Sequence, residues 1–242
     1  MKGAALLLVL AACAPKLDLN GLPFGGGGGG GTTGGSGGPD GPTNPLDAPN
    51  EERVCLTTDA RQLTFCQMTG AANLTVAFDG QMATTSDDGA FTIQLTNTIG
   101  EWIVTGTNIV TSQMPFSPSL QIPALSTNTY SDLTNSNGVV LSQGQGSIFV
   151  QITQNGGPLV NATVTASPAA QYATFYDGNN PTAWNSRSTG LYGVAWIPGL
   201  DAGSATVTVT PGTGMGSAVS VPGIAVGDGA NTYVTIDIPP PL

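Results

Sequence analysis

The sequence predicts an all-β protein: two tandem seven-stranded β-sandwich modules behind a disordered Gly/Pro-rich tether. Three observations predict it. From residue 51 onward, short runs rich in Val, Ile, Thr and aromatics alternate with Gly, Asn, Asp and Pro, the signature of strands and turns. Only 8% of the 242 residues are charged, and Gly, Thr, Ser and Asn are abundant, as in exported β proteins. The motifs of a first series of strands return in the same order in a second.

Residues 1–12 read as a signal peptide. Lys2 supplies a positive start, and Ala4 to Leu10 form an apolar run too short to span a bilayer. The segment Leu10-Ala11-Ala12-Cys13 resembles the lipobox of bacterial lipoprotein signal peptides. That resemblance implies cleavage before Cys13, a lipid on its sulfur and acylation of the new N-terminus. Several acyl chains at about 0.8 kcal/mol per buried CH2 anchor a protein stably. Ala14 after the cysteine, in place of Asp, implies the outer membrane of a Gram-negative cell envelope.

Residues 13–50 read as the tether. Glycines run from Gly25 to Gly31, and Pro39, Pro42, Pro45 and Pro49 follow. Such composition buries too little apolar surface to offset its ordering entropy. As a flexible coil it spans roughly 35 Å, and about 125 Å fully extended. The glycine run is not a phosphate loop, because no Lys-Ser/Thr follows it. No cofactor is expected.

Residues 51–138 and 139–242 read as the two modules. The first should hold strands over 54–57, 62–66, 74–78, 81–85, 90–95, 102–107 and 120–122. The second should hold them over 147–153, 162–166, 192–197, 205–210, 218–221 and 232–238. Asn73-Leu74-Thr75-Val76 is echoed by Asn161-Ala162-Thr163-Val164, and Gly89-Ala90-Phe91 by Gly190-Leu191-Tyr192. Trp102 to Thr105 is echoed by Ala205 to Thr208, Gln121 to Leu125 by Ser220 to Ile224, and Asn128-Thr129-Tyr130 by Asn231-Thr232-Tyr233. The second copy carries about 13 extra residues between Asn161 and Gly190.

Two stretches carry a family resemblance. Thr84-Thr85-Ser86-Asp87-Asp88-Gly89-Ala90-Phe91 and Gly157-Pro158-Leu159-Val160-Asn161-Ala162-Thr163-Val164 resemble turn motifs of the carboxypeptidase regulatory-like domain. The second module continues that likeness through Ser188 to Tyr192 and Ile197 to Gly203, while Cys55 to Gly70 lacks the opening motif. The resemblance implies a transthyretin-like (Ig-like) sandwich and is nearly silent on function.

Charge and composition exclude several functions. The chain has 15 acidic and 5 basic residues and no histidine, a net charge of −10. Loss of Lys2 with the signal makes it 4 − 15 = −11. Nucleic acid and anionic headgroups are excluded as partners, so membrane contact falls to the lipid. Without histidine there is no Ser-His-Asp triad, no Cys-His pair and no His-based zinc site. The only lysines are Lys2 and Lys16, so no Ser-Lys dyad lies in the modules.

The remaining candidates are carboxylates, thiols and aromatic rings. Asp87 and Asp88 precede Gly89 and read as turn residues, with a calcium ligand or a catalytic carboxylate as alternatives. Cys55 and Cys66 read as a structural disulfide in an exported chain, with a metal site or a reactive pair as alternatives. The insertion Ser167 to Ser188 holds Tyr172, Phe175, Tyr176 and Trp184. Such rings form a ligand-binding surface if exposed and a lid on the sandwich if buried.

The expectation is a non-catalytic envelope lipoprotein serving as a structural or interaction module, with a glycan or an envelope protein as partner. The alternatives are a carbohydrate-binding or adhesion lipoprotein using that loop, and a carboxylate-only glycosidase.

Overall fold

The computed structural model describes residues 52–63, 71–95, 98–117, 121–178, 181–182 and 184–241. The signal peptide, the tether, Cys13 and Cys66 lie outside the described residues.

The first half contains β1 (Glu52–Thr57), β2 (Thr75–Phe78), β3 (Gln81–Thr84), β4 (Ala90–Phe91), β5 (Glu101–Thr105), β6 (Ser112–Pro115) and β7 (Gln121–Leu125). They form the sheets β4-β1-β7 and β3-β2-β5-β6, with β1 and β7 parallel. A helix, α1 (Thr127–Ser136), leads to β8 (Gln145–Gln154), β9 (Gly157–Pro158), β10 (Thr163–Ser167), β11 (Phe175–Tyr176), β12 (Val194–Asp201), β13 (Gly203–Thr210), β14 (Val219–Val226) and β15 (Asn231–Asp237). These form β11-β12-β8-β15 and β10-β13-β14, with β8 and β15 parallel.

The two halves follow one plan. The opening strand (β1 or β8) is central, the closing strand (β7 or β15) runs parallel beside it, and β4 or β12 pairs antiparallel on its other edge. In the facing sheet β2-β5-β6 corresponds to β10-β13-β14. The tandem sandwiches expected from the repeat are therefore present.

The halves also share a sheet. Ser112 and Gln113 of β6 pair in parallel with Asn231 and Thr232 of β15. One nine-stranded sheet thus runs across the expected boundary at 138–139, and Asn50–Leu242 is one compact unit.

This joining explains the burial of β8, in which every residue from Gly146 to Ile152 is buried. Alternation sends Ile148, Val150 and Ile152 into a core under β10-β13-β14, with Val207, Val209 and Ile236. The other face sends Phe149 into a second core with Trp184, Trp196, Tyr233 and Leu133 of α1. That core continues into Val76, Phe78, Trp102 and Val104 of the first half. A sheet covered on both faces needs apolar side chains at odd and even positions.

Some expectations on strands are corrected. The run 90–95 is strand only at Ala90–Phe91, although Ile93 remains buried. Residues 62–63 are not strand, and 64–66 lie outside the described residues. The strand expected from Tyr192 begins at Val194, because Gly193 sits in a left-handed turn with φ 64°. Asn128-Thr129-Tyr130 is helix, whereas its supposed echo Asn231-Thr232-Tyr233 is strand. Here Ser126 caps α1, its Oγ accepting the Thr129 N–H at 3.0 Å, and burial of Leu133 anchors an otherwise polar, weakly helix-forming segment. The parallel pairing also makes β7 the counterpart of β15, so Gln121 to Leu125 corresponds to the closing strand and not to Ser220 to Ile224.

Candidate functional site

Asp88 of the first module serves a turn. Asp88 accepts the Ser86 hydroxyl at 2.6 Å and the Ala90 N–H at 3.2 Å, and its other oxygen lies 3.3 Å from Arg53. The Ser86 hydroxyl, then the Ala90 N–H and Arg53, hold its carboxyl below the usual range. Gly89 follows at φ 85°, and a Cβ there would stand 2.5 Å from the Val54 carbonyl oxygen. The Ser-Asp-Asp-Gly sequence is thus a turn held against β1. Among the described residues no three His, Cys, Asp or Glu side chains group as a metal site would require.

The insertion of the second module is a lid. Trp184 is 1% exposed and meets Trp196 and Phe149 edge-on at 6.1 and 6.0 Å. Phe175 packs on Trp196 at 5.2 Å, and the Tyr176 hydroxyl bonds the Val164 backbone. The Tyr172 hydroxyl accepts the Val140 N–H at 3.0 Å and donates to the Val140 carbonyl at 2.9 Å. Asn137, which ends α1, donates to the Thr182 carbonyl and accepts the Trp184 N–H. Of the two alternatives for Tyr172, Phe175, Tyr176 and Trp184, a ligand-binding surface or a lid on the sandwich, the packing of the rings is that of the lid. Two of the rings are buried, two are half-buried, and all four are engaged in packing.

Asp177 follows directly on this lid and is 1% exposed. Its oxygens accept the N–H groups of Gly190, Val194 and Tyr192 at 2.7, 3.1 and 2.9 Å. Burial pushes its carboxyl above the usual range, and the three N–H donors oppose that shift. It organises the turn into β12.

Sequence reasoning missed a second buried group. Arg61 makes a bidentate pair with Asp59, with Nη2 to Oδ2 at 2.8 Å, and donates from Nη1 to the Gly178 carbonyl at 2.7 Å. Its guanidinium lies 4.7 Å from the centre of the Tyr192 ring. The spacing Asp59-x-Arg61 is visible in sequence, but its contact with residue 178 lies 117 positions away. This group pins the first half to the lid. Cys55 is buried in β1, and its expected partner Cys66 lies outside the described residues.

A cleft opens where β6 and β15 separate. It holds about 230 Å3 and is lined from both halves, with Phe116, Ser117 and Gln121 facing Gln151, Tyr233 and Thr235. None of its lining residues is charged.

No protein-family model matches the chain, and no match is found among curated proteins. The resemblance to carboxypeptidase regulatory-like domains therefore stands on its turn motifs. Among solved structures the chain is similar to GBS52, the minor pilin of Streptococcus agalactiae, at 14% identity over 66% of this chain and 68% of that one, with a TM-score of 0.28. It is similar to a streptococcal ancillary pilin at 11% identity over 77% and 67%, TM-score 0.23. The Bacillus anthracis TIE protein matches at 12% identity over 69% of this chain and 32% of that one, TM-score 0.28.

Proposed function

We propose that this chain is a non-catalytic lipoprotein of the cell envelope, held by lipid at Cys13 and presenting two fused sandwiches as a structural or interaction module. The observation that carries the reading is the use made of the chemically capable side chains. Asp88 and Asp177 are committed to backbone turns, Asp59 to Arg61, and the aromatic insertion to a core. What this leaves for function is the rigid surface and its tether. The carbohydrate-binding alternative loses its support at the insertion, and a glycosidase would need two facing carboxylates that these assignments do not supply.

The anchor rests on Leu10 to Cys13, and the outer membrane of a Gram-negative envelope on Ala14. Burial of Cys55 in an exported module supports a disulfide to Cys66, closing a short loop for about 2–3 kcal/mol. The turn motifs and the repeated sandwich plan support a transthyretin-like lineage related to carboxypeptidase regulatory-like domains.

Metabolic labelling with a fatty-acid analogue tests the anchor. The wild-type chain should take the label and enter the detergent phase, and Cys13→Ser should do neither. Retention of both properties by Cys13→Ser overturns the reading.

A further inference from the structure

The ladder between β6 and β15 is two pairs long and then stops. Asn231 donates its N–H to the Thr111 carbonyl at 2.8 Å. Alternation along a parallel ladder next calls on residues 113 and 115 of β6 as donors, and residue 115 is proline. With no N–H at Pro115 the strands diverge, leaving the cleft of about 230 Å3 between the halves. Both modules build it, as is common for ligand sites at domain interfaces.

The lining defines the chemistry of an occupant. Gln121, Ser117 and Thr235 offer neutral donors and acceptors and Phe116 adds aromatic surface, while Gln151, whose amide N–H is donated to the Tyr192 carbonyl at 2.7 Å, and Tyr233 are buried in its floor. Gln121 and Thr235 are exposed at its mouth. No lining side chain is charged, so an anionic or cationic ligand would be desolvated without compensation, and the chain's net charge of −10 repels anions besides. The volume lies below the roughly 300–1,000 Å3 that encloses drug-sized molecules, which limits the occupant to about one ring. Neutral hydroxyls around a ring with apolar C–H faces satisfy each of these conditions.

We infer that the cleft between β6 and β15 is a binding site for a single neutral sugar ring, unit of a glycan held at the junction of the modules. This site is independent of the lipid anchor and of the aromatic insertion, so its failure leaves the proposed envelope role standing.

Titration of the full chain followed by amide NMR, including side-chain NH2 groups, tests the inference with glucose and N-acetylglucosamine as probes and glucuronate and trialanine as comparators. Saturable shifts are expected for at least one of the two sugars, gathered on Ser117, Gln121 and Thr235. Gln121→Leu with Thr235→Val should weaken binding roughly tenfold to thirtyfold, the loss of two neutral hydrogen bonds, without changing the melting temperature. Thr235→Val alone should weaken it about fivefold, which keeps the test usable if the double variant unfolds. Absence of saturable shifts with both sugars, equal binding of glucuronate, tighter binding of trialanine, or full affinity in Thr235→Val would each overturn it.

Discussion

Thr85 and Thr189 make the same hydrogen bonds in the two halves. The Thr85 hydroxyl accepts the Leu74 N–H and donates to the Ala71 carbonyl, and the Thr189 hydroxyl accepts the Ala162 N–H and donates to the Leu159 carbonyl. Their backbones likewise exchange bonds with Asn73 and Leu74, and with Asn161 and Ala162. Asn73 and Asn161 share a left-handed backbone at φ 59° and 61°. The anchor points lie 11 residues apart in the first copy and 27 in the second, so the insertion adds 16 residues, three more than the sequence echoes suggested.

Both threonines are buried, so Thr85→Val or Thr189→Val leaves a buried N–H and a buried carbonyl unpaired without changing side-chain volume. Each should cost about 2 kcal/mol, read from the urea midpoint at unchanged slope. Thr→Ser at either position keeps the hydroxyl and should cost less than half as much.

Asp177→Asn is expected to destabilise the protein by about 1–3 kcal/mol, although it is isosteric and removes an incompletely compensated charge. Both carboxylate oxygens accept N–H groups, so the new NH2 must face a donor, either Tyr192 or the pair Gly190 and Val194. Urea denaturation measures the loss. Unchanged stability would mean that burial of the charge outweighs its three donors.

Trp184→Ala should cost about 3–5 kcal/mol, because a buried ring against Phe149 and Trp196 leaves a cavity that a β-sheet cannot collapse to fill. Deletion of 173–185 should unfold the second sandwich cooperatively. A deletion that leaves the fold intact would return these rings to the role of a ligand-binding loop.

Tyr130 predicts the alkaline limit of stability. Burial raises its phenol to about 12, against the Ser147 hydroxyl that it contacts at 2.7 Å. An acid whose folded pKa is raised favours folding in its neutral form. Its contribution is complete below the unfolded value of about 10 and is lost as pH rises toward 12. Absorbance titration should show one tyrosine fewer ionising near pH 10 in the folded chain than after denaturation for each protected phenol, and Tyr130→Phe should remove one such deficit.

The repeat was legible because turns are written locally. Asn at a left-handed position, Thr beneath it and Gly in the following turn lie within a few residues of their partners or recur in order. Helix α1 was hidden because its sequence is poor in strong helix formers and its stability comes from one cap and Leu133. The lid was legible only as one of two alternatives, since exposed and buried aromatic loops have the same composition. Its partners Val140 and Asn137 lie 32 and 47 residues from Tyr172 and Trp184. The junction was the least accessible feature, with Gln113 and Thr232 meeting across 119 residues on strands that no periodicity marks as neighbours.

Native-state hydrogen exchange in low urea tests most directly whether the two sandwiches form one unit. The shared sheet through β6 and β15, the Arg61 contact with Gly178 and the common core predict that the slowest amides of β2 and β5 and those of β8 and β15 open together, with one free energy and one urea dependence. Exchange of β2 and β5 through a separate, lower-energy opening that leaves β8 and β15 protected would contradict it.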